Sequence, residues 1–383
     1  MILIYFLALN DLADEMCAEM IQEIRNNILE FEFIGVGGPK MLKQLNPRDK
    51  ILDFRKLPKQ DFKNFISKSY QANRLANKVA NELFISQPDI FISIGSENIS
   101  CKIANIIALY SLPTKLFHIA LTNIKPNKIF EDNYSLVFLA NTVDLITFEN
   151  KNINNNFLGH PILRNKLNFN SSYFIDKNQC VSNDIVLTLD LLHDTNFRTF
   201  KKFAEIAVYL KQRLQKLKIA ILLPTQSFEE NKKRFLQKEI IAKFSKEDIF
   251  FEKWENRINV YAASKVVITT INDYNLEIAA SDTPFISIYE ENLVLKFFRR
   301  IFLYNKYKSI LNKTISQEVV LEFDQNEDNT DIIVNNLYNI ITEQQISKYY
   351  VSVMHKILNL FTPNPDVKIT REISRILYSF LSN

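Results

Sequence analysis

Short runs of β-branched and aromatic residues alternate with longer amphipathic stretches along this chain, and the alternation is run through twice. In the first pass Ile2 to Leu9, Phe31 to Val36, Asp89 to Ile94 and Thr114 to Ala120 read as strands, and Ala13 to Leu29, Phe62 to Phe84 and Ile99 to Tyr110 as helices. After the polar Asn150 to Asn156 and the segment Leu163 to Asn183 the pattern restarts. Strands are expected at Ile185 to Leu192, Lys218 to Leu223, Ile249 to Phe251, Val266 to Thr270 and Pro284 to Tyr289, with helices at Phe197 to Leu217 and Phe228 to Phe244. A strand, a helix and another strand in that order specify a parallel pair crossed over by the helix. The fold class is therefore α/β, with two Rossmann-like doubly wound domains over residues 1–165 and 184–360. The length of 383 residues fits, being about two to three times that of a usual single domain. Helical patterns over Asp331 to Leu360 and Asp366 to Leu381 are broken by Thr362-Pro-Asn-Pro365, and the last helix, over 366–383, is expected to pack back on the first domain. Ligands of open α/β sheets sit beyond the carboxyl ends of the strands, so two facing sheets would place that crevice between the domains.

Composition narrows the chemistry. Glycine supplies 5 of 383 residues, against an average near about 7%, so glycine-built phosphate loops cannot recur along the chain. A net charge of +4 is too mild over this length for a nucleic-acid binder. Three cysteines (Cys17, Cys101, Cys180) and four histidines (His118, His160, His193, His355) are scattered without ligand spacing, which excludes a zinc site or a disulfide framework as the organising principle. Neither metal nor cofactor is expected. The apolar run Met1 to Leu9 has no preceding Lys or Arg and leads into Asn10, Asp11, Asp14 and Glu15, so it reads as a buried strand rather than a signal peptide. No apolar run approaches the roughly 18 residues of a spanning helix. The expected location is cytoplasmic.

Three of the glycines fall together in Phe33-Ile-Gly-Val-Gly-Gly-Pro-Lys-Met41, after a strand and before a proline suited to open a helix. Such a loop is either a tight strand-to-helix turn or a place where backbone amides approach an anion. It lacks the G-x-G-x-x-G pattern of dinucleotide sites, since Met41 and Leu42 stand where a later glycine is needed. A further glycine lies in Asn156-Phe-Leu-Gly-His-Pro-Ile162 at the expected join. His160 precedes a proline, which restrains its backbone and aims its ring; it reads equally as a satisfied hinge histidine and as a ligand contact.

These runs, with Leu311-Asn312 and Glu322-Phe-Asp-Gln325, resemble the lipid-A-disaccharide synthases, whose patterns are G-(V/I)-(G/A)-G-P-x-M, F-(V/I)-G-H-P, and P-N followed by P-E-(F/L)-x-Q. Order and spacing agree along almost the whole chain. The resemblance implies a GT-B type glycosyltransferase that works without a metal and joins UDP-2,3-diacylglucosamine to 2,3-diacylglucosamine 1-phosphate at the inner face of the bacterial inner membrane, with peripheral association and no nucleic acid; it leaves a homodimer open. Carried over, Gly37 and Gly38 would line the cleft with Asp14 and His160. Glu277, Asn312, Glu322 and Gln325 would stand near the nucleotide. A fixed carboxylate can accept from both ribose hydroxyls, and Asn or Gln can pair with a uracil edge. Without the family, Glu277 is a helix carboxylate and Glu322 to Gln325 a solvated turn.

Departures from the family are as informative. Its opening G-E-x-S-G-D survives only as Asp14, and its I-D-x-P-D loop appears as Ile94-Gly-Ser-Glu-Asn98, leaving Glu97 as the local carboxylate. Leu121-Thr-Asn-Ile-Lys-Pro126 replaces S-x-x-W-A-W, Asp190-Leu-Leu-His-Asp194 replaces P-G-S-R, and Asn272 replaces the S-G-T glycine. An arginine on a leaving diphosphate is a charge-assisted contact, and losing such a buried pairing costs about 2 to 5 kcal/mol. Two readings follow. In the first the chain is an inverting UDP-sugar hexosyltransferase with Glu97 as general base, Asn98 beside it, Gly37, Gly38 and Lys40 meeting phosphate, and Glu277 on the ribose. In the second it is a non-catalytic relative that binds nucleotide or lipid, or acts as a partner subunit. Two basic segments, Phe54 to Lys78 with seven Lys or Arg against Asp61, and Leu293 to Lys308 with five and no acid, fit either a membrane interface or a solvated helix face.

Overall fold

The computed structural model describes residues 1–26, 30–56, 65–163, 168–181, 183–192, 195–291, 307–362 and 369–381. Contacts divide the chain into two units, Met1–Arg164 with Leu360–Asn383, and Asn165–Asn359. In the first, β1 (Ile2–Ala8), β2 (Phe31–Gly37), β3 (Lys50–Asp53), β4 (Ile90–Ile94), β5 (Lys115–Ile119), β6 (Leu136–Leu139) and β7 (Asn155–Phe157) form a sheet of order β3-β2-β1-β4-β5-β6-β7. Its helices are α1 (Asp11–Arg25), α2 (Pro39–Leu42), α3 (Phe65–Ser86), α4 (Glu97–Leu109), α5 (Lys128–Asn133) and α6 (Thr142–Glu149). The second unit opens with α7 (Ser171–Lys177) and carries β8 (Ile185–Asp190), β9 (Leu217–Leu223), β10 (Ile249–Lys253), β11 (Val266–Thr270), β12 (Phe285–Tyr289) and β13 (Leu321–Asp324), in the order β10-β9-β8-β11-β12-β13. Its further helices are α8 (Phe197–Arg213), α9 (Phe228–Leu236), α10 (Arg257–Ala263), α11 (Asn275–Ala280), α12 (Ile310–Ile315), α13 (Thr330–Thr342) and α14 (Gln344–Leu358), and α15 (Ile369–Leu381) belongs to the first unit.

Every described pairing in both sheets is parallel, as in Ile4 opposite Phe33 and Ile90, or Leu187 opposite Ile219 and Val266. A parallel sheet must be covered on both faces, which accounts for strands such as Ile90 to Ile94 being buried at every position. The expected doubly wound class therefore stands. The final helix does return to the first unit. Tyr378 Oη donates to Ile24 O at 2.9 Å and its ring meets Phe31 edge-on, while Leu360 O and Phe361 O accept from Thr142 N–H and His160 N–H.

Details differ from the sequence pattern for physical reasons. The helix expected over Phe228 to Phe244 stops at Leu236. Phe228, Asn231 and Phe235 form its buried stripe, and one more turn would place Glu239 on that stripe; the chain instead bends and delivers Ile241 and Phe244 to the core. Glu322 to Gln325 is not a solvated turn, since Glu322 lies in edge strand β13, paired with Ser287 of β12. Most of Leu293 to Lys308, residues 57–64 of the other basic segment, and His193 and Asp194 lie outside the described residues.

Glycine scarcity leaves a structural mark. Helices commonly end in a left-handed residue, usually glycine. Here Gln87, Ser111, Asn152, Gln179, Asp282 and Ser316 fill such positions, all with φ between 43° and 60°. The backbone still closes as usual, with Leu112, Ile153, Cys180 and Gln317 N–H returning to carbonyls five residues earlier. Left-handed backbone costs a residue with a Cβ about 1 to 2 kcal/mol, while glycine adds unfolded-state entropy worth roughly 0.5 to 1 kcal/mol. Replacing Gln87, Ser111, Gln179 and Ser316 singly by Gly should raise unfolding free energy by about 0.5 to 1 kcal/mol each in urea titrations. A loss at these sites would contradict the left-handed geometry.

Candidate active site

In the first unit the central strand β4 passes into α4 through Gly95 and Ser96, both left-handed at φ 61° and 53°. Two such residues in succession form a sharp turn, and only the first is a glycine. Gly95 N–H donates to Ile119 O at 2.9 Å, and Ser96 O receives the N–H groups of Ile99 and Ser100. Strain of this kind persists only where neighbours fix it. The turn puts Glu97, half-buried, and Asn98, exposed, in the first turn of α4 at the carboxyl edge of the sheet.

Burial, and then the neighbouring Asp144 carboxylate, hold the Glu97 carboxyl above its ordinary range. Asp144 lies in the first turn of α6, buried, and accepts from Ile124 N–H at 2.9 Å and Asn141 Nδ2 at 2.8 Å. Burial pushes its carboxyl up to about 6 despite those donors. One turn after Glu97 on α4, the Cys101 thiol is pushed up to about 11 by burial and then by Glu97. Behind the turn, Ser93 Oγ contacts Ser100 Oγ at 2.5 Å and His118 Nδ1 at 2.9 Å, and Ser100 contacts the Tyr134 hydroxyl. This buried chain of hydroxyls ties β4, α4 and β5 together beneath Glu97. Burial lowers the His118 imidazole to about 3, so it stays neutral.

Asp14 and His160 are committed to the fold. The Asp14 carboxylate accepts from Gly38 N–H at 2.7 Å, Lys40 N–H at 2.9 Å and Met41 N–H at 3.0 Å. A Cβ on Gly38 would stand 2.6 Å from its Oδ2, so glycine is needed for the acid to seat there. Of the residues expected to meet phosphate, Gly38 and Lys40 have their amides held by this internal carboxylate, Gly37 lies at the end of β2, and Lys40 Nζ pairs with Glu15. His160 Nδ1 accepts from Ile162 N–H at 3.2 Å, so its other nitrogen donates to Leu121 O at 2.8 Å. Burial lowers its imidazole to about 4. It is a satisfied histidine of the first unit.

In the second unit Glu277 lies in the first turn of α11 and is buried. Arg257, the first residue of α10, grips it at both oxygens, Nε to Oε2 at 2.6 Å and Nη2 to Oε1 at 2.7 Å. The guanidinium also lies 4.1 Å from the Trp254 ring centroid, and Tyr274 meets that ring edge-on at 4.7 Å. Arginine suits this place because its planar fork satisfies a carboxylate bidentately while its face stacks on an aromatic ring. Sequence reasoning missed Arg257: twenty residues and a strand separate the partners, and its only signal was an aromatic beside an arginine at a helix start. Asp190, which opens the run standing in place of the family's P-G-S-R, accepts from Leu192 N–H, Tyr261 Oη and Thr269 Oγ1, each at 3.0 Å.

Asn312 and Glu322 come together, but face each other. Asn312 Oδ1 accepts from Val319 and Val320 N–H, and its Nδ2 donates to Val320 O and to Glu322 Oε1, both at 2.7 Å. Glu322 also receives Lys308 and Ser309 N–H at 2.8 Å. The amide of Asn312 is thus filled, and the pair joins α12 to β13 rather than offering an edge to a base. Gln325 follows that strand, with its Oε1 3.4 Å from Thr199 Oγ1.

The family model of lipid-A-disaccharide synthetase matches residues 4–365. The chain belongs to the lipid-A-disaccharide synthase family. It is 23% identical over 383 residues to the lipid-A-disaccharide synthase of Rickettsia conorii, covering 94% of this chain and 83% of that protein. With the Rickettsia felis enzyme the identity is 24% over 369 residues, covering 93% and 90%. Among solved structures it resembles the glycotransferase of kitacinnamycin, with a TM-score of 0.61, 9% identity and 98% of each chain covered. The Staphylococcus aureus MnaA–UDP co-structure gives 0.58 and 11%, covering 100% of this chain and 97% of that one. At these identities the structures speak for the fold alone, which is the GT-B class of glycosyltransferases and epimerases.

The bidentate pair changes what a Glu277 substitution would do. Glu277→Gln removes the charge that Arg257 answers. Removing one partner of such a pair costs about 3 to 5 kcal/mol, whereas an apolar replacement of both is often neutral. Arg257→Ala should therefore destabilise by about that amount, and Arg257→Met with Glu277→Leu should recover most of the loss in urea unfolding. Equal losses in the single and double variants would show that the pair carries no coupling.

Proposed function

We propose that this family member condenses UDP-2,3-diacylglucosamine with 2,3-diacylglucosamine 1-phosphate, using Glu97 as the base. The 6-hydroxyl of the acceptor attacks the anomeric carbon of the donor. The new bond runs from that oxygen to C1, the bond from C1 to the diphosphate oxygen breaks with its electron pair, and UDP leaves. The hydroxyl proton goes to Glu97. The observation that carries this reading is the left-handed Gly95–Ser96 turn, which sets a half-buried carboxyl of raised proton affinity at the carboxyl edge of the central strand. A base works best when its pKa nears the operating pH, and burial with a neighbouring carboxylate is how a glutamate is moved that way. Asn98, exposed beside it, orients the acceptor but takes no proton, since an amide does not titrate.

For the donor, Glu277 is the ribose acceptor, and Arg257 holds its carboxyl in place while it accepts two hydroxyls. Among the described residues no helix is long and apolar enough to cross a membrane, and the proposed place of work is peripheral, at the cytoplasmic face of the inner membrane where acylated substrates lie. The non-catalytic reading draws on Asp14, which occupies amides that a phosphate would use.

Purified protein given both substrates should release UDP and the disaccharide. Glu97→Gln should lower the rate by about a hundred- to ten-thousand-fold, the loss expected for a positioned base, with UDP affinity unchanged. Turnover that survives in this variant would remove Glu97 from the reaction, and none in the wild type would leave the non-catalytic reading. Asp144 supplies a sign test in the pH profile. Its charge raises the proton affinity of Glu97, so Asp144→Asn should let Glu97 stay ionised to lower pH and move the acid limb of the rate downward. An unmoved limb would separate the two carboxyls.

A further inference from the structure

We infer that the outer face of α3 and α4 docks on an anionic bilayer, anchored by the apolar ends of these two helices. The two pack side by side on the first sheet and end together at its amino edge. There Ile85 is 83% exposed, Leu109 81%, Tyr110 63% and Phe84 52%, with the rings of Phe84 and Tyr110 5.6 Å apart. Large apolar side chains are normal on a surface when scattered, but four at one corner make a patch. Cations line the approach to it. Arg74, Lys78, Asn81 and Ile85 recur at helical spacing along α3, as do Lys102, Asn105 and Leu109 along α4.

Carboxylates are few on these helices: their sequences hold Glu82, whose Oε2 accepts from the buried Tyr5 hydroxyl at 2.7 Å, and Glu97, at the opposite end of α4. At the amino edge the exposed Asp89 is engaged by Leu3 N–H. That charge pattern decides between occupants. A second copy meeting this face through a two-fold axis would bring the Arg74, Lys78 and Lys102 cluster against a like cluster, with no acid on the described outer turns of α3 and α4 to answer it. An anionic lipid surface attracts all three, and takes the aliphatic and aromatic ends into its interfacial layer. The surface overlaps the Phe54 to Lys78 segment expected from sequence over the first part of α3, and its apolar anchor, Phe84, Ile85, Leu109 and Tyr110, lies beyond that segment.

The inference rests on the membrane location proposed above but not on turnover, so the two are tested apart. Co-sedimentation of the full chain with phosphatidylethanolamine vesicles containing phosphatidylglycerol should exceed that with phosphatidylcholine vesicles and fall as salt rises. Ile85→Asp with Leu109→Asp, both fully solvated positions, should lower binding at least tenfold at unchanged melting temperature. Changing Arg74, Lys78 and Lys102 together to Gln should lower it on the order of a hundredfold at low salt. Binding by wild type that both variants retain would keep the membrane location and overturn this surface. No binding by wild type would overturn both. A dimer in light scattering that Ile85→Asp with Leu109→Asp dissolves would assign the face to a second copy.

Discussion

Parallel pairing of every described strand leaves each one needing a crossover helix, and each crossover begins at the same edge of its sheet. The loops after β1, β2, β4, β5 and β6 therefore gather at one edge of the first unit, and those after β10 and β11 at one edge of the second. Glu97 and Asp144 share an edge for this reason, and so do Arg257 and Glu277, although long stretches of chain separate the partners. The same constraint forces burial of both sheet faces, so that the loops carry nearly all the polar chemistry. With so few glycines the helices must end on ordinary residues, and the chain accepts that cost at the opposite edge of the sheet after α3 and α4, where geometry is set by packing rather than by a ligand.

Buried carboxylates do much of the work of fixing these loops. Asp14 holds the turn into α2, Asp144 holds Ile124 in the loop after β5, Asp190 joins β8 to β11 and α10, and the half-buried Glu322 joins β13 to α12. Each accepts two or more hydrogen bonds from backbone, amide or hydroxyl donors, which offsets the cost of taking a polar group away from water. Glu277 is answered by a full positive charge, that of Arg257, as the buried Glu252 is by Lys177 and Glu291 by Lys308.

Much of this fold was legible because helix and strand periods differ and the core enforces them. The α9 boundary shows the limit: the apolar stripe runs correctly to Phe235, and only the acid at Glu239, weighed against burial, tells where the helix must stop. Short edge strands such as β3 and β13 carry too few residues for a period to register. The site was legible only in part. Glu97 stands out in the sequence as the local carboxylate of Ile94 to Asn98, whereas Asp14 and Asn312 match family positions while their side chains turn inward. Whether a matched residue faces a ligand or a backbone amide depends on contacts twenty or more residues away, and spacing along the chain does not contain them.

The altered loop after β4 still has a coherent physical logic. Replacing aspartates by Gly95 and Asn98 removes two negative charges from the mouth of the turn, leaving Glu97 to respond to burial and to Asp144 alone. Burial penalises the charged form and Asp144 repels it, so both causes act in one direction and raise the affinity of this carboxyl for a proton. Each unit of such a shift is worth about 1.36 kcal/mol of difference between the protonated and ionised forms. The turn through Gly95 and Ser96 places that carboxyl in the first turn of α4, at the carboxyl edge of the sheet and beside the loop that Asp144 holds.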